Sequence, residues 1–517
     1  MKEKVLQSWT NPWALAIASG ILLGLSYSPV NLSILQIPAF LMLFRLSDIS
    51  PTRSYFAGKA FISFVIWNFT TTYWLMFADV LAGVAAILAN AALMLIPMLI
   101  IRALLRKDIH VLFLSILISS TWVCYEYLHH HWDLAWPWLA LGNGWAVHTG
   151  VIQYISFTGH LAISFWIIAT SLLLYKTILS TRKDVFYYTV TVFLIFPLLS
   201  VFSLITFSEE PEGSLEVAII QPNLDSYQTY GGFNSVDELT EMLLEISDSV
   251  RTENTDLIIW PENAIDTAIG RESAFRFRVS DTLRNWNADL ITGAVFIDTY
   301  EDREEPAIVR GQHSGSGFNI YNAALHFTPD NELDVYRKGN LVPIVERMPY
   351  AETLQKIDRF GWVNWGLVTG YGKGIQANNF RIGNHETPAL ICYDSVFTSW
   401  VGEFVRNGAG FLTIVTNDGW WGETSGHKQH FAYARLRAIE YRQWIARSAN
   451  NGISGIISPD GVVHVETDYW VRTGFTHDIY PTGKVTLFAR YGNWFNWLMV
   501  VGTIMAVAVL YIKKEDP

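Results

Sequence analysis

The sequence predicts a multi-span α-helical membrane bundle that carries a large α/β layered outer domain, and three observations predict it. Of 517 residues, 51% are hydrophobic and only 16% are charged, against about a quarter charged in an ordinary soluble protein. The long uncharged runs lie within residues 12–207 and 494–512, while the stretch between them has the composition of a soluble domain. That middle stretch alternates Val- and Ile-rich runs with amphipathic patterns, as sheets covered by helices require.

A helix that crosses a bilayer needs about 20 mostly apolar residues. Candidate spans lie at 12–28, 32–46, 54–77, 80–101, 109–128, 158–175, 185–207 and 494–512. The first reads as a retained span, because others follow it directly and no small-residue cleavage pattern intervenes. Lys2, Lys4, Arg45, Arg53, Arg102, Arg106, Lys107, Lys176, Arg182, Lys183, Lys513 and Lys514 all fall in connections on one side. The connections around 27–31, 78–79 and 129–157, on the other side, hold no Lys or Arg. Because positive residues stay cytoplasmic, both termini are expected in the cytoplasm and residues 208–490 outside. The expected organisation is therefore a seven-span membrane domain (1–207), the outer domain (208–490), and a last span with a short tail (491–517). A net charge of −11 argues against nucleic acid as a partner.

In the outer domain, "LEVAII" (215–220), "DLIIW" (256–260), "ADLITGAVF" (288–296), "PALIC" (388–392) and "FLTIVTN" (411–417) read as buried strands. The 235–251 segment, with Leu239, Leu243, Leu244 and Ile246 on one face, reads as a helix, and so does 427–447. Turns at "TPDNE" and "SPDG" mark hairpins joining 322–328 to 333–337 and 453–457 to 462–466. Two sheets packed between helix layers satisfy this pattern.

Catalytic groups gather at strand ends in such folds, and three polar residues stand there: Glu262 after "LIIWP", Lys338 after "LDVYR" and Cys392 after "PALI". Thiol, carboxylate and amine make a working acyl-transfer set. The thiol attacks, the carboxylate takes its proton, and the ammonium faces the oxyanion, with the Tyr393 backbone N–H as a second donor. Taken singly, each has a plainer reading: an inert core thiol, a solvated carboxylate, a surface amine. Cys124, the one other cysteine, lies in an apolar run, so no disulfide joins the two. No Cys pair has metal-ligand spacing, and neither metal nor cofactor is expected.

"WPENA" (260–264), "YRKGNLVP" (336–343) and "ICYDS" (391–395), in that order after a seven-span region, resemble the nitrilase superfamily and, within it, the membrane-integrated apolipoprotein N-acyltransferases. The resemblance implies an αββα sandwich with Glu262 as base, Lys338 as oxyanion stabiliser and Cys392 as nucleophile. It also implies a supporting carboxylate at Glu346 in "LVPIVERMP". "IIQPN" (219–223), Asn322 in "IYNAAL", "TNDGWWG" (416–422) and "AWPWLALGN" (135–143) are similar to family segments too. Three departures stand out: Asp394 where the family often has Glu, no Phe-Gly before Glu346, and Gln228, Tyr230 and Phe233 where a Lys-Trp is common. The implied reaction carries an acyl chain from a phospholipid, phosphatidylethanolamine by expectation, through a Cys392 thioester to the N-terminal amine of a diacylglyceryl-cysteine lipoprotein. The implied setting is the inner membrane, with the catalytic domain periplasmic and the enzyme monomeric.

"GWVNWGL" (361–367) and "DGWWGE" (418–423) place four Trp residues in loops, suited either to a lipid interface or to a core. The run His129–His131 does not converge on one ion by its spacing. Glu126, within or close to the membrane, invites a functional reading without an assigned role. Two other functions compete: a tethered amidase using the same three residues with water as acceptor, and a transporter or receptor with an inactive outer domain. The nearly charge-free spans speak against the second.

Overall fold

The computed structural model describes residues 10–180, 182–208, 212–301, 304–313, 315–358 and 360–512. Lys2, Lys4, Lys513 and Lys514 lie outside the described residues. The N-terminal part is helical: α1 (Pro12–Gly24), α2 (Gln36–Ile49), α3 (Arg53–Thr72), α4 (Val80–Leu105), α5 (Val111–His129), α6 (Leu161–Leu179) and α7 (Lys183–Thr206), with a C-terminal helix at Trp494–Ile512. Among the described residues, α4 to α7 and the C-terminal helix are long and apolar enough to cross a membrane. The helices at the first two expected spans are shorter, 13 and 14 residues. At 1.5 Å per residue they rise about 20 Å, less than the roughly 30 Å of a hydrocarbon core. The run 12–28 is cut at Gly24, after which residues 25–30 turn. The next run does not become α-helical until Gln36, after a short turn at Ser33–Leu35.

The outer domain is an αββα sandwich. One eight-stranded sheet contains β1 (Leu215–Gln221), β2 (Thr255–Ile259), β3 (Ile265–Ile269), β4 (Asp289–Thr299), β5 (Gly311–His313), β6 (Ser316–Phe327), β7 (Leu333–Arg337) and β15 (Thr473–Ile479). Its main path runs β15-β1-β2-β4-β6-β5, with β3 on β4 and β7 on β6. A small hairpin, β8 (Phe380–Ile382) and β9 (His385–Thr387), stands apart. The second sheet orders β10 (Ala389–Ile391), β11 (Leu412–Thr416), β12 (Ile445–Ala449), β13 (Gly455–Ile457) and β14 (Val463–Glu466) in sequence. Val217, Ile219, Leu257 and Ile259 of the first sheet meet Leu390, Ile414, Ile445 and Ile456 of the second in one buried core. The alternate residues Ala218, Ile220 and Ile258 face outward onto α8 (Val236–Val250) and α9 (Ala274–Trp286), the strand period of two written into sequence. Over the second sheet lie α10 (Thr398–Arg406) and α11 (Ser425–Tyr441).

Within the outer domain, one helix departs from the sequence reading. The helix expected at 427–447 stops at Tyr441, where Arg442 turns left-handed (φ 54°) and its N–H bonds the Ala438 carbonyl. Residues 445–449 are then a strand, buried at every position and paired on both edges. The periodic pattern ran on because a two-sided buried strand and a buried helix look alike in a short apolar run.

The outer face of α11 rests on the bundle, so Tyr433, Leu436 and Ile439 belong to the same core as Trp67, Trp122 and Trp166. Polar bonds fix the seat. Gln429 Oε1 accepts from the indoles of Trp138 (2.7 Å) and Trp74 (3.3 Å), while its Nε2 donates to the carbonyls of Ser28 and Thr71, both at 3.0 Å. The Glu440 carboxylate receives Arg437 (2.7 Å), the Thr398 hydroxyl (2.7 Å) and the His160 backbone N–H at the head of α6 (2.7 Å). The Gln429 and His160 bonds cross the seam, so sliding the two parts would break them, at about 1–3 kcal/mol for each buried group left unpaired.

Candidate active site

The two sheets bring Glu262, Lys338 and Cys392 to one place. Glu262 sits in the loop that leaves β2. Gly293 on β4 lets that loop approach: its N–H bonds the Pro261 carbonyl at 3.0 Å, and a Cβ there would run into Pro261 O and the Glu262 backbone. Lys338 follows β7, its N–H held by the Asn322 carbonyl at 3.0 Å. Cys392 follows β10, and its backbone is left-handed at φ 45°, a conformation that costs a residue with a Cβ on the order of 1–2 kcal/mol.

Lys338 is 1% exposed and carries two carboxylates, with Nζ donating to Glu346 Oε1 at 2.9 Å and to Glu262 Oε1 at 3.2 Å. Asn322 Nδ2 bridges the same two oxygens, at 2.8 Å to Glu262 and 2.9 Å to Glu346. Glu346 Oε2 accepts the Val342 N–H (2.7 Å) and Glu262 Oε2 the Asn417 N–H (2.9 Å). Each supporting residue named in the sequence thus falls in or beside the cluster. Tyr393 sends its side chain the other way, donating its hydroxyl to the Ala135 carbonyl at 2.9 Å in the bundle's outer loop.

Burial would lower the Lys338 ammonium, but Glu262 and Glu346 hold it well above the usual lysine range, so it is charged. Burial and the neighbouring Glu262 push the Cys392 thiol well up, with Lys338 opposing. At rest, therefore, the sulfur keeps its proton. Asp394, at the position where the resemblance has the longer Glu, accepts from Asn340 N (2.7 Å), Asn340 Nδ2 (3.0 Å) and the Tyr336 hydroxyl (2.8 Å). It clamps the turn just after Lys338, and burial pushes its pKa up to about 6 against Lys338.

Sequence reasoning passed over Thr416, Asp418, His430 and Arg447. "TNDGWWG" drew notice only as a segment, and His430 and Arg447 lay inside one supposed helix. Donor atoms of Cys392, Asp418 and His430 lie within 4.8 Å of one another. A cation already serves that carboxylate, since Arg447 Nη2 donates to Asp418 Oδ2 at 2.8 Å in full burial. The rings of His129, His130 and His131 go to different partners: Asn90 and Trp132, the Glu126 carbonyl, and the Tyr127 carbonyl. Glu126 Oε1 accepts the Trp122 indole (2.8 Å) and Leu141 N–H (2.9 Å), seating the 137–145 loop on α5.

A cavity of about 520 Å³ opens beside Gly339 and Tyr393, the chain neighbours of Lys338 and Cys392, between the 130–135 loop of the bundle and the 339–352 segment. From its rim an apolar arm extends, with Ile344, Ile357, Phe360, Trp362 and Leu367 exposed, Trp362 at 82%. Of the four loop Trp residues, Trp362 and Trp420 are exposed, Trp365 is half-buried with its indole on Asp358, and Trp421 packs against Trp74 with ring centres 4.5 Å apart.

Residues 19–173 match the apolipoprotein N-acyltransferase N-terminal domain, and residues 216–482 match the carbon–nitrogen hydrolase family. The chain is 28% identical over 508 residues to the apolipoprotein N-acyltransferase of Chlorobaculum tepidum, covering 93% of each protein. It is 26% identical over 527 residues to that of Geobacter metallireducens, covering 97% of this chain and 96% of the other. With a family match over more than half its length, on a domain of two packed α/β sheets whose strand ends hold these groups, the chain belongs to the carbon–nitrogen hydrolase family.

Proposed function

We propose that this chain is an apolipoprotein N-acyltransferase of the bacterial inner membrane, working through a Cys392 thioester. The observation that carries the reading is a cysteine in a left-handed turn beside a buried lysine held by two carboxylates, in a domain seated on helices of membrane length. Glu262 takes the thiol proton as sulfur attacks the ester carbonyl of a phospholipid, and a C–S bond forms. The oxyanion develops against the Lys338 ammonium. Collapse breaks the ester C–O bond, and Glu262 returns the proton to the departing lysophospholipid oxygen. The N-terminal amine of a diacylglyceryl-cysteine lipoprotein then attacks the thioester. Glu262 accepts the amine's proton and passes it to sulfur as the C–S bond breaks, which leaves an amide and restores the thiol. A base is needed because the half-buried thiol, its pKa pushed up by desolvation and Glu262, keeps its proton at rest.

The apolar arm fits contact with lipid, since exposed apolar surface and Trp favour the interface. The cavity beside Tyr393 gives lipid and lipoprotein room next to the turn that carries the sulfur. By the distribution of Lys and Arg, we place both termini in the cytoplasm and residues 208–490 in the periplasm, with eight crossings.

Intact-mass spectrometry after incubation with phosphatidylethanolamine tests the reading. One added acyl chain, removed by hydroxylamine and absent in Cys392→Ala, is the expected result, with phosphatidylglycerol as the donor comparison. A folded protein that gains no mass and instead hydrolyses small amides would replace the reading with a tethered amidase.

A further inference from the structure

A second polar cluster touches Cys392, and none of the steps above uses it. It starts at the carboxyl end of β11, where three consecutive residues divide their attention. The Asn417 N–H holds the carboxylate of Glu262 at 2.9 Å. Thr416 stands against the Cys392 side chain and donates its hydroxyl to Asp418 Oδ1 at 2.9 Å. Asp418, without exposed surface, shares its carboxylate with His430 Nδ1 (2.9 Å) and Arg447 Nη2 (2.8 Å). His430, 1% exposed, turns its other nitrogen to the turn that carries the sulfur: Nε2 is 3.3 Å from the Cys392 carbonyl and 3.2 Å from the Ser395 hydroxyl, which itself donates to that carbonyl at 2.7 Å. The contacts form a closed ring: Cys392 side chain, Thr416, Asp418, His430, Cys392 carbonyl. The residue so enclosed has φ 45°, and such a backbone persists only where its surroundings over-determine it.

We propose that Thr416, Asp418 and His430, anchored by Arg447, are a positioning unit for Cys392. His430 holds the left-handed turn through the carbonyl, Thr416 fixes the direction of Sγ, and Asp418 joins the two. The proposal rests on Cys392 being the nucleophile. It assigns the unit to sulfur reactivity and not to lipid affinity. The hydroxyl of Thr416 also turns toward the thiolate once it forms, so removing it raises the pH at which the sulfur reacts. The titratable groups that face the thiol are Glu262, Lys338, Asp418 and Tyr393, with His430 reaching it through the carbonyl.

The test uses the full chain in detergent, with Thr416→Val, Thr416→Ser, Asp418→Asn and His430→Gln. Alkylation of Cys392 by iodoacetamide is followed by peptide mass from pH 6 to 10, and thioester formation is followed against phosphatidylethanolamine concentration. Thr416→Val keeps the shape of the side chain and is expected to react about tenfold more slowly at pH 8, a shift of about one pH unit in the profile. Its maximal acylation rate falls in step while half-saturation stays put, and Thr416→Ser restores both. Asp418→Asn and His430→Gln, where protease resistance shows a folded sample, follow the same pattern. If either fails to fold, Thr416→Val decides alone. A folded Thr416→Val whose pH profile and acylation rate overlay the wild type within twofold overturns the proposal. A wild type that forms no thioester overturns the nucleophile reading instead, so the two failures are told apart.

Discussion

Replacing Glu346 by Gln tests the reading of the Lys338 cluster most directly. In the native site both oxygens of Glu346 are acceptors, Oε1 for Lys338 and Asn322 and Oε2 for Val342 N–H. A glutamine has one acceptor oxygen. If it keeps Lys338, its amide N–H₂ faces the Val342 N–H, and if it keeps Val342, it turns two donors on an ammonium. One charge-assisted hydrogen bond is lost in the first case and two in the second, about 1.5–3 kcal/mol each. Lys338 remains charged through Glu262 but is drawn toward it from 3.2 Å, which withdraws the ammonium from the oxyanion and occupies the base. Removing an oxyanion donor outright costs about 10²–10³ in rate, so displacing one should cost between about tenfold and a hundredfold. The assay is single-turnover acyl-enzyme formation, read by intact mass at quenched times over a range of phospholipid concentrations. The rate at saturation should fall by that amount, with little change in half-saturation. A folded Glu346→Gln within threefold of wild type would mean that Lys338 does not depend on Glu346 for its position.

Alkylation of Cys392 in the wild type should rise about tenfold per pH unit from pH 6 to 9 without a plateau, because burial and Glu262 hold its pKa above the usual thiol value and only the thiolate reacts. A plateau near pH 7 would instead reveal a preformed thiolate–lysine pair. Gly293→Ala should displace the Glu262 loop by the clash its Cβ meets. About 10²-fold of the acylation rate should be lost, as an ångström of misplacement can cost, and wild-type rates in that variant would show that the loop yields freely. Gln429→Leu should leave the Trp138 indole N–H and the Ser28 carbonyl without partners at the seam, while the Trp74 indole keeps the Thr71 carbonyl at 3.1 Å. At about 1 kcal/mol or more each, the seam loses roughly 2 kcal/mol, so limited proteolysis should cut the outer domain from the bundle sooner than in wild type. An unchanged cleavage rate would assign the docking energy to apolar contacts alone.

What could be read from the sequence followed from periodicity and from position at strand ends. β1, β2, β4, β10 and β11 lie where their apolar runs stand, and Glu262, Lys338 and Cys392 were visible because each follows such a run directly. What escaped notice depended on contacts distant in the chain. Asp418 and Arg447 are 29 residues apart, and nothing local in "TND" or "IARSA" says that they pair. The same cause misread 445–447 as helix, for the strand is defined by β11 and β13 on either side, while the stop at Arg442 is a left-handed residue that is not glycine. The short α1 and α2 escaped because hydropathy measures how apolar a run is and not whether a turn divides it.

If Cys392 is the nucleophile, its position at the seam gives the bundle a part in the chemistry beyond anchorage. Tyr393, the residue after Cys392, is bonded to the Ala135 carbonyl of the bundle's outer loop. Trp138 of that loop packs its ring 5.7 Å from that of His430, whose Nε2 lies against the Cys392 carbonyl. The turn that carries the sulfur is therefore held from the sheet side through Thr416 and Asp418, and from the membrane side through Tyr393 and the Trp138–His430 contact. A conformation as costly as φ 45° at a cysteine needs constraint from more than one direction, and here one direction is supplied by the membrane part. A soluble domain alone would keep Glu262, Lys338 and Glu346, which lie on its own strands and loops, but it would lose the partner of Tyr393 and the covering of His430. Under the proposed mechanism, the seam thus couples the reactivity of the thiol to its seat on the membrane, where acyl donor and acceptor would both be found.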